Sequence, residues 1–117
     1  MQDPLEREDI VGTTILKEAD ELIHGERAQA YGSALANAQT WATLFTAATG
    51  IQVEAEHYPI SQICCKLARE RSKHKEDNWR DIAGYVGVWG KIKAEQDMIQ
   101  KGLDRGIVLP SHNQGIS

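Results

Sequence analysis

The sequence predicts an all-α domain, a four-helix bundle-like arrangement with an irregular C-terminal tail. Proline occurs only at positions 4, 59 and 110, which leaves two long stretches open to helices. Few windows show the alternation of polar and apolar residues that a half-buried strand requires, whereas apolar residues often recur at helical spacing. A chain of 117 residues suits a single domain with one modest core.

The domain boundaries follow from the same pattern. We expect residues 1–9 to form an N-terminal tail, residues 10–101 the helical domain and residues 102–117 a C-terminal tail. The first nine residues are acidic and lack the apolar segment of a signal peptide, and no apolar run approaches the ~20 residues of a membrane span. The formal charge of −4 offers no broad basic surface to a nucleic-acid polymer. We therefore expect a cytoplasmic protein that binds neither membranes nor nucleic-acid polymers.

Start and stop signals place the four helices. The expected ranges are about 10–23, 33–49, 59–72 and 77–101. Gly25 and Gly50 follow the first two helices, and glycine favours the position just past a helix end. Ser33 is a good N-cap for the second helix, and Pro59 suits the first turn of the third.

The apolar stripes predict which side chains face the core. On the third helix the predicted inner face contains Ile60, Ile63, Cys64 and Leu67. On the fourth helix it contains Ile82, Tyr85, Val88, Trp89 and Ile92. Asn78 projects near the centre of that fourth face and Asp81 near its edge. Because burying such groups unpaired costs several kcal/mol, we expect each to have a partner.

Two kinds of partner are open for Asn78 and Asp81. They can cap or bridge neighbouring helices, in which case Asp81 would pair with one of three basic residues: Lys66, Arg69 or Arg71. They can instead share a divalent cation, since hard cations prefer oxygen ligands and residues three or four apart on a helix can bind one ion together.

Further acidic residues could complete such a metal site. Asp77 lies one turn before Asp81 and flanks the same side of the fourth helix. Glu18 flanks the apolar stripe of the first helix, where its side chain can turn into a crevice between helices. Glu21 follows one turn later, but its direction is closer to solvent.

Basic and aromatic residues near the same end suggest a bound phosphate and base. The candidate phosphate ligands are Arg27, Lys66, Arg69 and Lys75, for which surface pairing with Glu70 and Glu76 is the ordinary alternative. Carboxylates that hold a cation beside cations that hold phosphate are typical of metal-assisted phosphoryl chemistry. Tyr31 is the best candidate to stack on a base and Trp41 the second, although tryptophans at helical positions more often belong to the core.

A resemblance to a known family is carried by two segments, ILKEADELIHGERAQAYG at residues 15–32 and KLARERSKHKEDNWRDIAGY at residues 66–85. They resemble the all-α nucleoside-triphosphate pyrophosphohydrolases of the MazG-like group, and look closest to its small phage-encoded members. That group builds a metal site from ExxE and ExxD motifs on two helices. Glu18 and Glu21 match the first motif, and Asn78 and Asp81 match the second with asparagine in place of glutamate. Asp77 can restore the missing charge.

The resemblance implies hydrolysis of a (deoxy)nucleoside triphosphate to the monophosphate and pyrophosphate. It implies Mg²⁺ or Mn²⁺ as cofactor, with these candidate ligands: Glu18, Glu21, Asp77, Asn78 and Asp81. Glu18, Glu21 and Asp81 would be the catalytic residues among them. It also implies a homodimer or homotetramer, a phage protein working in the host cytoplasm and, through the MazZ subgroup, a preference for dGTP or GTP.

Two other classes of function remain open. The chain could bind a nucleotide without hydrolysing it, which the asparagine at position 78 favours. It could also be a helical adaptor that inhibits a host factor. The adaptor hypothesis predicts that Asp81→Ala chiefly changes stability, whereas the enzyme hypothesis predicts lost turnover with the fold intact.

Overall fold

The computed structural model describes residues 4–25, 32–104 and 106, and for residues 4–9 it describes the backbone alone. These residues form four α-helices and no strand: α1 Pro4–His24, α2 Ala34–Thr49, α3 His57–Ser72 and α4 Glu76–Asp104. The predicted all-α, bundle-like class is thereby confirmed. Within the same ranges, no helix has both the length and the apolar content needed to cross a membrane.

Two of the predicted helix caps are confirmed, whereas two helices extend beyond their expected ranges. Ser33 caps α2 by accepting a hydrogen bond from the Ala36 N–H at 3.0 Å. Gly50 ends the same helix with φ 75°, and its N–H donates to the Thr46 carbonyl. α1 begins earlier than the expected position 10, at Pro4, a residue that suits the first helical turn. At the other end α4 continues beyond the expected position 101.

The 29-residue helix α4 is the centre of the fold, and it contacts α1, α2 and α3. It also satisfies the ends of two neighbouring helices. The Lys91 ammonium donates to the Ile23 carbonyl in the last turn of α1. The Glu95 carboxylate accepts from the Leu35 N–H at 2.7 Å and from the Ser33 hydroxyl at 2.9 Å, at the start of α2. A cation at a helix C-terminus and an anion at an N-terminus both complement the helix dipole.

The core is small and consists mainly of short side chains. A cluster of Leu35, Ala38, Ala55 and Ile92 is fully buried between α2, α4 and the segment before α3. α1 packs closely on α4 at Gly87, where an added Cβ would come too close to Cδ1 at the end of the Ile23 side chain. The first helix is thus held against α4 by a glycine contact as well as by Lys91.

The predicted inner faces of α3 and α4 are partly wrong. On α3, Ile60 and Leu67 are about half exposed, at 51% and 47%, and Cys64 is exposed as well. The helix is rotated so that polar side chains, including Lys66 and Glu70, lie between α3 and α4. On α4, Trp89 is exposed, whereas the other four predicted positions are buried or half-buried: Ile82, Tyr85, Val88 and Ile92. The face of α3 that turns toward α4 thus includes polar side chains with partners there.

Candidate functional site

Acidic and basic side chains alternate where α1 and α4 meet. The Arg80 guanidinium contacts the Glu18 carboxylate through Nε and the Asp77 carboxylate through Nη1. The Arg80 side chain is 22% exposed, whereas Glu18 is 42% and Asp77 is 77% exposed. Nε of Arg80 has no aligned hydrogen bond, so its contact with Glu18 is a close ion pair. Arg80 therefore brings together two predicted metal ligands from different helices.

The electrostatics keep Arg80 charged. Burial of the guanidinium by itself lowers the pKa of Arg80, but the neighbouring carboxylates of Glu18 and Asp77 outweigh this effect. The net result is a pKa raised above the ordinary value. The guanidinium is thus a permanent cation between the two acids.

A second ion pair joins α3 to α4. Lys66 Nζ lies 2.9 Å from Asp81 Oδ2, and the Lys66 side chain is only 16% exposed. Of the three pairings that the sequence left open for Asp81, the structure shows this one. Asp77 and Asp81 are one turn apart on α4, so they share a side of the helix. We call Glu18, Lys66, Asp77, Arg80 and Asp81 the charged cluster.

Tyr85 borders the charged cluster and remains a neutral phenol. Desolvation is the main cause that raises the pKa of Tyr85 to about 12, with further contributions from Tyr58 and Asp81. Its ring meets that of Tyr58 edge-on, at 6.0 Å between centroids. Tyr85 can therefore donate or accept a hydrogen bond near Asp81 but is not a base near neutral pH.

Asn78 hydrogen-bonds to the carboxylate of Glu70 and not to a group of the charged cluster. It is buried, at 6% exposed, and its amide donates to Glu70 Oε1 at 3.1 Å. The same carboxylate accepts from the Lys75 N–H and from the Trp79 indole N–H, and it contacts His74 at 2.5 Å. The His74 hydrogen bond is the main cause that lowers the pKa of Glu70 to about 2. Glu70 thus fixes the turn between α3 and α4.

Sequence reasoning missed the roles of Glu70 and Arg80. The sequence pattern indicates Glu70 only as a surface partner for basic residues, and it predicts no role for Arg80. A signal for Glu70 was present in the spacing, because His74 follows four residues later and two donors, Asn78 and Trp79, begin the next helix. For Arg80 the signal was its position between Asp77 and Asp81.

Among the residues that the structure describes, the other predicted site residues lie outside the charged cluster. Glu21, Arg69 and Lys75 are exposed. Trp41 is half-buried and its ring packs on those of Phe45 and Tyr58, at 5.2 Å and 5.7 Å between centroids. Two further candidates lie outside the described residues: Arg27 and Tyr31. Within the described ranges, no group of three or more acidic, histidine or cysteine side chains is gathered closely enough to hold a metal.

An open groove lies elsewhere on the molecule, along α2. Gln96 of α4 lines one side of the groove. Small and polar side chains form most of the rest of the lining, among them Thr40, Thr43, Thr46, Gln52 and Glu54. None of its lining residues belongs to the charged cluster. A ligand that used both would have to span the length of α4 between Asp81 and Gln96.

Comparison with known proteins assigns the chain to a family. The model of a domain of unknown function, DUF6378, matches residues 14–93, which is more than half of the chain. The chain belongs to the DUF6378 family. The match includes all five residues of the charged cluster, so that cluster is part of the DUF6378 domain.

The DUF6378 chain is similar to proteins of two mycobacteriophages. It is 40% identical over 87 residues to the Gene 55 protein of Mycobacterium phage L5, covering 72% of this chain and 55% of that protein. It is 34% identical over 83 residues to the Gene 55 protein of Mycobacterium phage D29, covering 70% and 55%. The chain thus spans about half the length of these curated relatives. No solved structure matches it significantly.

Proposed function

We propose that this chain is a metal-dependent hydrolase that converts a nucleoside triphosphate, preferentially dGTP or GTP, into the monophosphate and pyrophosphate. The observation that supports the proposal is the contact of Arg80 with both Glu18 and Asp77. It holds Glu18 of the first motif close to Asp77, the residue that precedes the second motif on α4. Asp81 lies one turn further along α4, where Lys66 of α3 pairs with it.

The donor chemistry of the charged cluster suits Mg²⁺ or Mn²⁺, because both ions prefer carboxylate oxygens. The arrangement imposes a condition on binding. Arg80 contacts one oxygen of Glu18 and one of Asp77, so a divalent ion must use the other oxygen of each carboxylate or displace the guanidinium. Asp81 would likewise exchange Lys66 for the ion. Asn78 is not required as a ligand, since Glu70 already binds its amide.

The side chains of Arg80 and Lys66, once displaced from the carboxylates, can act in the same reaction. Arginine presents a planar fork that matches phosphate oxygens, and lysine presents a compact charge. Arg80 and Lys66 could therefore bind the triphosphate and offset the negative charge that develops during hydrolysis. A bound divalent ion would supply Lewis acidity and lower the pKa of the attacking water.

Phosphate and pyrophosphate release from each of the eight common nucleoside triphosphates tests the proposal. The assay uses Mg²⁺ or Mn²⁺ and is repeated with EDTA. We expect turnover of a guanine nucleotide to its monophosphate, lost with EDTA and reduced in Asp81→Asn by about a hundredfold or more, as for a group that holds a catalytic metal. Asp97→Asn, an exposed change on the same helix, is the matched control. Absence of turnover with all eight nucleotides in a folded protein would refute the proposal.

Binding without hydrolysis is the second candidate, and one observation favours it. The engagement of Asn78 with Glu70 leaves the second motif with one acid fewer than the ExxD pattern has. Calorimetry with the same nucleotides distinguishes the two functions. Metal-dependent binding of a nucleotide with no pyrophosphate release would support the second candidate.

A further inference from the structure

Four cations are gathered where α3 ends and the chain turns into α4. They occupy alternate positions: Arg69, Arg71, Lys73 and Lys75. We call these four residues the basic turn. Glu70 is the one acid between its first and last residues, so four positive charges against one negative give this segment a formal charge of +3, in a chain whose total is −4. Such a local reversal of charge indicates a surface for an anionic partner.

The basic turn has no acidic partner in the part of the chain that the structure describes. All four residues are exposed, and none forms an ion pair with a described carboxylate. Lys75 meets Glu70 through its backbone N–H alone. Cations in the last turn of a helix complement the helix dipole, and the effect falls off beyond that turn. It accounts for Arg69 and Arg71 but not for Lys75.

The acids nearest to the basic turn are mostly engaged with other groups. Glu70 turns toward α4, where its carboxylate accepts from the amide and indole donors described above. Asp77 is held by Arg80. Glu76 is exposed, but it lies near His74, whose pKa is raised above 6.5 chiefly by the hydrogen bond to Glu70. The charge of protonated His74 offsets that of Glu76, so the turn stays positive.

The basic turn extends beyond the site proposed for hydrolysis. Lys66 of the charged cluster and Glu70 are one turn apart on α3, and both face α4. Arg71 comes one position after Glu70, about 100° further round the helix, so its side chain is directed away from that contact. A phosphate bound by Arg71 is therefore separate from a phosphate bound by Lys66.

An exposed indole lies beside the basic turn. Trp79 is 41% exposed, and its N–H donates to Glu70 Oε2 at 2.6 Å. The Lys75 N–H binds the other oxygen of that carboxylate at 2.9 Å, so Glu70 joins the indole to the basic turn. The hydrogen bond fixes one edge of the ring while part of its surface stays open to solvent. A fixed aromatic surface next to cations is the arrangement on which unpaired bases stack.

We propose that the basic turn and Trp79 bind single-stranded nucleic acid, with the cations on backbone phosphates and the indole stacked on a base. Unpaired bases are free to stack, whereas the bases of a duplex already stack on one another. An acidic protein would use the cations but leave the indole without a role. The total charge of −4 argues against the broad basic surface that a duplex uses, but a single strand needs only a short one. The inference does not depend on the proposed hydrolysis.

Fluorescence anisotropy of a labelled oligothymidylate of about 20 nucleotides, longer than one ordinary binding site, measures the interaction. Binding should weaken as salt rises, with a slope of about −2 in log affinity against log salt if three phosphates are contacted. Arg71→Gln and Lys73→Gln should each make the slope shallower by about 0.7, the contribution of one phosphate. Lys101→Gln is the matched control, because Lys101 is an exposed cation near the other end of α4.

A second pair of variants tests the stacking. Trp79→Leu should weaken binding by about fivefold or more, the effect of one lost base stack. Trp89→Leu is the matched control, since Trp89 is 45% exposed on the same helix but ten residues further from the turn. Circular dichroism verifies the fold of each variant. If Trp79→Leu fails to fold, the Arg71 and Lys73 variants still decide, because their side chains have no ion pair among the described residues.

Four results would overturn the proposal. The first is no binding of the oligonucleotide at low salt, and the second is binding that none of the turn and Trp79 variants weakens. The third is competition by polyglutamate as strong as that by unlabelled oligonucleotide, which would indicate an acidic protein. The fourth is displacement by dGTP at the same phosphate concentration, which would place the basic turn in the nucleotide site. A protein that binds the oligonucleotide but releases no pyrophosphate would support this proposal and refute only the hydrolase.

Discussion

Arg80 on α4 contacts the carboxylate of Glu18 on α1, and this ion pair joins two motifs that are far apart in the sequence. Because of this ion pair, the two acids of the ExxE motif, Glu18 and Glu21, have unequal roles. Glu18 lies at the junction with α4, whereas Glu21, one turn later, is exposed. A metal site at the junction would use Glu18 first.

We therefore expect Glu18→Gln to weaken Mn²⁺ binding by about tenfold or more, as loss of a carboxylate ligand does. Glu21→Gln is the matched control and should change the affinity much less. Electron paramagnetic resonance of free Mn²⁺ during a titration measures both. Equal losses in the two variants would show that Glu21 turns inward when the metal binds.

The carboxylate of Glu70 should make stability depend on acid pH. Its pKa is lowered from 4.5 to about 2 in the folded chain, chiefly by the His74 hydrogen bond. A group with a depressed folded pKa stabilises the fold above its ordinary pKa and loses that contribution as the pH falls. We expect the unfolding free energy of the wild type to fall more steeply than that of Glu70→Gln between about pH 4.5 and pH 2. Urea denaturation at a series of pH values measures this difference, and parallel curves would contradict it.

His74 should have the opposite pH dependence. Its pKa is raised above 6.5, first by the hydrogen bond to Glu70 and then by the charge of that carboxylate. Such a group stabilises the fold below its unfolded pKa, and the contribution disappears as the pH rises through the folded value. The stability difference between the wild type and His74→Gln should therefore be largest between about pH 4.5 and pH 6.5, where Glu70 is ionised and His74 protonated, and shrink in alkaline solution. A difference independent of pH would mean that packing, rather than charge, connects His74 to the turn.

The packing of α1 on α4 can be tested at Gly87. A Cβ at this position comes too close to Cδ1, the flexible end of the Ile23 side chain, so Gly87→Ala should be less stable than Gly84→Ala by about 1 kcal/mol, the cost of a displaced rotamer. Gly84→Ala is the control, since an added Cβ meets no atom within 4 Å there and the helix gains propensity. Thermal unfolding at a fixed protein concentration compares the two. A stabilising Gly87→Ala would indicate that α1 can shift away from α4 at little cost.

The cap that α4 provides to α2 should be measurable as well. Glu95→Gln removes the charge that accepts from the Leu35 N–H and the Ser33 hydroxyl, and we expect a loss of about 1 kcal/mol, the usual effect of a cap. Asp97→Asn, two residues further along the same helix, should be close to neutral. Urea denaturation at neutral pH measures both changes, and equal effects would show that the cap adds nothing to stability.

The sequence predicted positions along the helices better than contacts between them. Its caps at Ser33 and Gly50 and its burial of Asn78 are confirmed, because each depends on local signals or on helical phase. The partner of Asn78 was not predictable, since phase shows which face a residue occupies but not what lies across from it. The prediction of which face of α3 turns inward is wrong for a related reason. Lys66 and Glu70 lie at the contact with α4 through ion-pair and hydrogen-bond partners that an apolar pattern does not reveal.

The central position of α4 also determines when the chain can fold during synthesis. Lys91 meets the Ile23 carbonyl across 68 residues, and Glu95 meets the Leu35 N–H across 60. The first two helices therefore leave the ribosome well before the helix that completes their ends. Until α4 is synthesised, the apolar side chains of α1 and α2 remain exposed. In this condition nascent chains associate wrongly or are recognised by chaperones. A chain truncated before α4 would remain in that state.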